Sequence, residues 1–487
     1  MDNNASKAIS SAIWKLSERF CAQIITLAVS IVLARLLSPE DYGIVSIVTI
    51  FFGFANIIIA GGLTTALIQK HNADELDFSS LFWANLFFSV LIYILFYIVA
   101  PAVAKIYHIP ILSKILRFMG LVLPVYSIQS IYCAYISRQL QFRTFFFATL
   151  GGTIISAVMG IGLALKGFGV WALVMQQMSN AIIDTIILVA VTKLKLMFKF
   201  SFERFKNLFS YGSKIMFSNF LGQLYVQFTP AVIGIKYNVD DLSFYTKGNM
   251  FPSTISSMVS SSLSSVLFPF IAKKQNDIKA VLNYTRKFMR LSSFVVFPAL
   301  LGFLAISDSF ILLLLTEKWL PAAYYMRIFC ICVMFDIVAI GNCETIKAIG
   351  RSDIYLKIEV VKKVGYFITL LIFMFFSKDP RQFVLASMVN VVIQVVVNSY
   401  PNSKLIGYTY RMQFSDIAIN LFNSIVMCIG VYFIGSCVVN PLKSMIIQII
   451  SGCLIYLVLS FIFNRKCLLC IHNLIFGVFD KKHNTDK

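Results

Sequence analysis

The sequence predicts an all-α integral membrane protein with about fourteen transmembrane helices, and three observations carry that prediction. Of 487 residues, 59% are hydrophobic and only 13% charged, with a mean hydropathy of +0.82. A water-soluble chain of this length could not cover its surface with so few charges. Continuous apolar runs recur along nearly the whole chain, each about 20 residues long, which is what a helix needs to cross the hydrocarbon core. The pattern of loops also repeats between the two halves. Lipid offers no partners to backbone N–H and C=O groups, so spans are helices or a closed barrel. The runs here are continuous rather than alternating, which selects helices.

The helices follow in order. A basic lead containing Lys7 opens helix one, over 8–36; no small-residue cleavage site follows it, so this is a span rather than a signal peptide. Helix two, 41–68, starts after the turn Ser38-Pro39-Glu40. Helices at 79–106, 113–137, 143–166 and 168–195 complete a first set of six. The hydrophilic stretch 193–207 leads to helices at 208–235 and 241–270, and the stretch 273–290 to those at 281–307, 320–348, 354–377 and 381–405. Two more follow, at 414–438 and 442–464.

Alternate loops sort by charge. Most of the 42 Lys and Arg fall on one side, including Lys70, Arg138, Arg143, the Lys193–Lys206 and Lys273–Arg290 clusters, Arg351, Lys404 and the tail. The positive-inside rule then places both termini in the cytoplasm, and an even helix count requires that agreement. The net charge of +20 would suggest nucleic acid in a soluble protein. Here it reads as topology signals, with no nucleic-acid partner. Most of the ten cysteines lie in apolar runs, where they act as small hydrophobes. Cys467 and Cys470, with His472 nearby, form a lone C-x-x-C, too little for zinc. No metal and no cofactor are expected.

The internal repeat is read from two pairs of loops. Arg35 precedes Glu40 between helices one and two, as Lys236 precedes Asp241 between helices seven and eight; Pro110 to Arg117 opens helix four, as Pro321 to Arg327 opens helix ten. The offsets are about 200 and 210 residues. Six helices per unit give both copies one orientation, a parallel repeat, and a solute pathway is expected between two such halves.

Trp14 leading into Leu33-Ala34-Arg35-Leu36-Leu37-Ser38-Pro39-Glu40-Asp41-Tyr42-Gly43, then Gly167-Phe168-Gly169-Val170-Trp171-Ala172-Leu173-Val174, resembles the bacterial polysaccharide exporters and lipopolysaccharide-biosynthesis flippases. These belong to the multidrug/oligosaccharidyl-lipid/polysaccharide superfamily. Ser264-Ser265-Val266-Leu267-Phe268-Pro269 and Ile346-Lys347-Ala348-Ile349-Gly350-Arg351 extend the match, which covers residues 10 to 405. The resemblance implies two six-helix lobes, 1–200 and 201–405, around a central cavity, with 406–487 as two extra helices and a cytoplasmic tail. It implies a bacterial cytoplasmic (inner) membrane location and a cargo of sugars on a polyprenyl pyrophosphate carrier. A polysaccharide polymerase or a glycosyltransferase is a candidate partner beside the membrane lipids. One departure is informative. The peptidoglycan-precursor branch carries an Arg-Asp pair late in helix one, where this chain has Val29 and Ser30, and that favours the exporters of surface polysaccharide.

A charge at the bilayer centre costs about 2.5–3.5 kcal/mol on insertion scales, so one that is present usually faces a cavity or a partner. On helix one, Lys15, Arg19, Gln23, Thr26 and Ser30 share one face of a 3.6-residue helix. They either line the cytoplasmic half of the cavity, where pyrophosphate would enter, or snorkel to the headgroups. Helix seven, the repeat partner of helix one, offers Lys214 with Ser218, and Asn219, Gln223 and Gln227 beside them; Lys214 is placed in the cavity. Lys247, at the outer start of helix eight, either draws an anionic headgroup outward or anchors the interface. Gln176, Asn180 and Asp184 on helix six, and Asn390, Gln394 and Asn398 on helix twelve, are stripes at steps of four that either touch sugar hydroxyls or hydrogen-bond between helices. Asp184 and Asp336 are the deepest acids; each is a site of proton or sodium coupling or the structural partner of a neighbouring base. Glu344 with Lys347, and Glu359 with Lys362 and Lys363, are read as local ion pairs.

Two other function classes are weighed. A drug or cation antiporter of the same superfamily would want an acidic cavity, whereas the faces of helices one and seven are basic. A membrane polysaccharide polymerase would need a large outer loop, and no metal-ligand cluster, nucleophile elbow or phosphate-cradling glycine loop is present. No enzyme activity is expected.

Overall fold

The computed structural model describes residues 3–469 apart from 71, 140, 193, 439 and 466; for 3–13, 15, 16, 19, 20, 259–266 and 268–270 it describes the backbone alone. Cys470 and His472 lie outside the described residues.

The chain divides into two compact units, Met1–Ser243 and Phe244–Lys487. In the first, the described residues form α1 (Asn3–Leu36), α2 (Pro39–Ala60), α3 (Leu63–Gln69), α4 (Glu75–Ile106), α5 (Pro110–Gly120), α6 (Leu123–Gln139), α7 (Phe142–Leu165), α8 (Val170–Val191) and α9 (Phe202–Lys236). Helix α10 (Val239–Ala272) starts where the first unit ends. The second unit continues with α11 (Ile278–Ala305), α12 (Ser307–Leu314), a 3-10 turn, α13 (Ala322–Met334), α14 (Asp336–Ala348), α15 (Ser352–Phe376), α16 (Pro380–Val384), α17 (Ala386–Leu405), α18 (Tyr410–Ser436) and α19 (Pro441–Phe463).

Local sequence explains the helix starts. Ser38 and Asp41 form a reciprocal capping box ahead of α2, with Pro39 in its first turn, so two orphan N–H groups are satisfied and the proline costs no hydrogen bond. Asp74 and Asp77 build the same box for α4. Gly167 and Gly169 both take positive φ, 78° and 54°, a region side chains with a Cβ avoid. The glycines of the Gly-Phe-Gly-Val-Trp motif therefore make the sharp turn between α7 and α8.

Among the described residues, nine helices or near-continuous helix pairs are long and apolar enough to cross a membrane, ten if the bent pair α5 and α6 counts as one span. The expected fourteen would also need α1, α9, α10 and α15. These have 34, 35, 34 and 25 residues, enough to cross about 30 Å at 1.5 Å per residue. Helices α9 and α15 fall short in composition, because they carry Lys214, Asn219 and Gln223, and Glu359, Lys362 and Lys363. Large apolar side chains such as Phe375 and Phe376, each 80% exposed, cover the outside, as a surface solvated by lipid requires.

Helix α9 packs on α2, α3 and α4, so its contacts group it with residues before 200. The linker ahead of it is fastened to α4. Ser79 Oγ accepts from Met197 N at 2.8 Å, Ser80 Oγ from Ser201 N at 3.0 Å, and Trp83 Nε1 donates to Met197 O at 3.1 Å. Fully buried Asp77 binds Lys70 Nζ at 2.6 Å and Arg204 Nη1 at 3.2 Å.

Candidate functional site

Similar local chemistry recurs about 200 positions apart. Ser38 Oγ accepts from Asp41 N ahead of α2, and Asn238 Oδ1 accepts from Asp241 N in the first turn of α10. The equivalent acids are thus Asp41 and Asp241, one position from the Glu40 match read in the sequence. The spans carrying Arg117 and Arg327 are each broken into two helices, after Gly120 and after Met334.

Beyond those breaks lie two acid–amide pairs. Gln129 Nε2 on α6 donates to Asp184 Oδ2 on α8 at 2.6 Å. Gln394 Nε2 on α17 donates to Asp336 Oδ1 on α14 at 3.1 Å. Gln129 and Asp336 are 336 − 129 = 207 positions apart, and Asp184 and Gln394 394 − 184 = 210, so the two pairs occupy one repeat position with acid and amide exchanged. Asp184 Oδ1 is buried with no hydrogen-bond partner. Among the described residues neither Asp184 nor Asp336 forms an ion pair; each is met by a neutral amide. Gln129 was not singled out in the sequence; the signal that finds it is its position one repeat before Asp336.

The amide stripe of α8 faces α7. Gln176 lies against Gly160, and Asn180, itself exposed, approaches Gly152. Glycines on α7 let α8 come close, and α7 with α8 is the most extensive helix pair. Asn219 Nδ2 donates to Gly61 O at 2.6 Å, and the end of the Gln223 side chain lies beside Gly53. Lys214 and Ser218 remain exposed together on α9.

Lys15 and Arg19 lie on α1, their side chains outside the described residues; Gln23 is half-buried. Trp14 sets one side of that helix against α7, edge-on to Phe146 with centroids 5.2 Å apart, with the Arg143 guanidinium 5.7 Å from its ring. Lys247 is buried, 5% exposed, its ammonium 5.8 Å from the Trp319 ring centroid. It is therefore enclosed in the second unit in this conformation. Lys347 with Glu344 and Lys362 with Glu359 pair at 2.6 and 2.5 Å, as expected from their spacing.

A second cluster was not anticipated. Asp416 on α18, its side chain fully buried, receives Arg286 Nε at 2.8 Å and Nη2 at 2.9 Å, Arg290 Nε at 2.8 Å and Nη2 at 2.6 Å, and the Tyr408 hydroxyl at 3.0 Å. Asn420 donates to Ser293 Oγ at 2.8 Å, and Asn342 to Gln413 Oε1 at 2.9 Å. Polar bonds thus dock α18 onto α11 and α14, where apolar burial alone gives little preference over lipid.

Residues 32–324, more than half of the chain, match the family model described as "Polysaccharide biosynthesis protein". The chain belongs to that family. Among its relatives, the succinoglycan biosynthesis transport protein ExoT of Rhizobium meliloti is 26% identical over 59% of this chain and 58% of its own. The lipopolysaccharide biosynthesis protein WzxC of Escherichia coli is 20% identical over 88% of each. In fold, the chain is similar to the lipid II flippase MurJ in an inward closed conformation, with a TM-score of 0.74 and 17% identity over 94% of this chain and all of that one. The all-helical multi-pass membrane fold expected from the sequence is therefore the MurJ type.

Proposed function

We propose that this protein is a flippase that moves a polyprenyl-pyrophosphate-linked oligosaccharide or polysaccharide from the cytoplasmic to the outer leaflet by alternating access. The carrying observation is the family match over residues 32–324 together with an alignment to a lipopolysaccharide biosynthesis protein that covers 88% of both chains. In this reading residues 1–200 and 201–405 act as two lobes with a cavity between them, and 406–487 is peripheral. Both termini are cytoplasmic, in the bacterial inner membrane, and no bond is made or broken.

Arg19, Lys15 and Lys214 are the bases assigned to the pyrophosphate. Exposed Lys214 supports this for α9; Lys247 is kept outside the set because its ammonium is enclosed. The cargo head carries about two negative charges, and each gains about 2.3 kcal/mol per 100 mV on moving outward. Two charges therefore gain about 4–5 kcal/mol, enough to drive export without a coupled ion. A coupled ion is the second reading. It rests on the two repeat-related acids, Asp184 and Asp336, each met by an amide rather than a base.

The test compares cells with the protein, without it, and with its Arg19→Ala plus Lys214→Ala variant, scoring lipid-linked glycan on each leaflet. Cytoplasmic build-up is expected both without the protein and with the well-expressed variant. Normal transport by the variant would remove the site assignment, and unchanged leaflets without the protein would remove the flippase reading. Dissipating the potential at fixed ion gradients separates the two driving forces.

A further inference from the structure

Helices α15 and α17 present adjacent exposed stripes, Val360, Val361, Val364 and Ile368 on one, Val392, Val396 and Tyr400 on the other. Between them, at the end that carries the basic loops, runs a groove of about 580 Å³. Its walls are nearly all apolar and include Val361, Val396, Tyr400 and Tyr410. The Tyr410 hydroxyl donates to Val396 O at 2.8 Å, which ties the start of α18 to α17 and closes one side.

Two lysines line the groove at its surface end. Lys357 sits one turn into α15, and Lys404 occupies the last turn of α17 with its ammonium 4.8 Å from the Tyr400 ring centroid. The nearby acids are already engaged. Asp353 pairs with Arg351 at 2.9 Å and Glu359 with Lys362 at 2.5 Å. Neither Lys357 nor Lys404 forms an ion pair among the described residues, and no acid lines the groove.

We propose that this groove is a binding site for an anionic diacyl phospholipid, with its phosphodiester between Lys357 and Lys404 and an acyl chain along Val361 and Val396. Charge complementarity selects the headgroup: two ammonium groups at the depth of the membrane surface attract anionic lipid, and basic pockets between transmembrane helices on the cytoplasmic side are where such headgroups bind. The apolar floor selects a chain-bearing ligand over a free phosphate. The groove lies wholly within the second unit and needs nothing from the assignment of Arg19 or Lys214.

Native mass spectrometry of the full chain with equal phosphatidylglycerol and phosphatidylcholine tests the site. Wild type is expected to retain phosphatidylglycerol about 25-fold more, given roughly a fivefold gain for each of the two surface lysines. Lys357→Gln with Lys404→Gln should bring the ratio close to one. Val396→Trp, which fills the groove, should lose both adducts, while Arg411→Gln, outside it, keeps the wild-type ratio. Size-exclusion profiles matching wild type establish that the variants fold; if the double lysine variant does not, the Val396→Trp result decides alone. Equal retention of the two lipids by wild type, or an undiminished preference in the folded variants, overturns the proposal. Displacement of phosphatidylglycerol by equimolar polyprenyl phosphate also overturns it and assigns the groove to the cargo carrier.

Discussion

Gln129 donates its side-chain amide to Asp184 across α6 and α8 at 2.6 Å. The same bond recurs between Gln394 and Asp336 at 3.1 Å with the helices exchanged, so each unit holds one carboxyl, in reciprocal places, against a neutral donor. An amide can bond either a charged or a protonated carboxyl, whereas a base would hold it charged. In the coupled-ion reading proposed above, this arrangement lets both acids gain or lose a proton, or take a monovalent cation, without breaking an ion pair.

Asp184→Asn and Asp336→Asn test that freedom because Asn keeps the shape and one hydrogen-bonding oxygen. If a coupled ion, the second reading, drives export, either change lowers transport about tenfold in proteoliposomes under an imposed proton or sodium gradient, a coupling of ordinary allosteric size. The dependence on that gradient should vanish while the melting temperature holds. Unchanged transport would make both pairs packing elements and leave the membrane potential as the driving force.

Asp416 is expected to be the costliest polar position in the second unit. Asp416→Ala leaves Arg286 and Arg290 without their carboxylate and Tyr408 without its acceptor. Breaking a buried pair costs about 3–5 kcal/mol; the two arginine side chains are 29% and 48% exposed, so solvent recovers part of that and about 1–3 kcal/mol remains. Thermal unfolding in detergent should show the loss, and Arg286→Lys should show a smaller one, since a lysine cannot offer two parallel donors. An Asp416→Ala protein that melts with wild type would mean that apolar contacts hold α18 in place.

Asp74 offers a pH-dependent case outside the spans. The backbone N–H of Asp77, and then nearby Arg204, hold its carboxyl below the ordinary range. A depressed folded value adds stability above the unfolded one, about pH 3.9, and that stability is lost as the pH falls through the folded value. Asp74→Ala should accordingly lower the melting temperature near neutrality, where it also removes the cap of α4. The gap to wild type should narrow below about pH 4. A gap independent of pH would remove the ionic part of the argument.

Much of this was legible in the sequence, and the exceptions share a cause. Apolar run length located the helices, and spacing of three found Lys347 with Glu344 and Lys362 with Glu359. Both are short-range signals along one helix. Arg286 and Arg290 read as topology markers because their partner, Asp416, lies 130 and 126 positions away. The bond from Asn219 was not legible because its acceptor is a backbone carbonyl, Gly61 O, which no side-chain pattern records. Asp184 and Asp336 stood out by depth, yet Gln129 did not, since an uncharged amide among Ser and Tyr is ordinary until the repeat register aligns it with Asp336.

The seam that α2 and α3 make with α9 gives the sharpest contrast of sizes. A Cβ at Gly62 would lie 2.1 Å from Gly212 O and 2.7 Å from Met216 N, both backbone atoms. A Cβ at Gly53 would lie 2.0 Å from Gln223 Nε2, the far end of a flexible side chain. The first neighbour cannot move without moving α9; the second needs one rotamer change. Gly62→Ala is expected to cost about 1–3 kcal/mol, the range for overpacking a close contact, and to reduce transport in the leaflet assay because α9 carries Lys214. Gly53→Ala should melt within a few degrees of wild type and transport normally. If Gly53→Ala proves the more damaging of the two, Gln223 has no room to turn, and its amide rather than the backbone approach holds the seam.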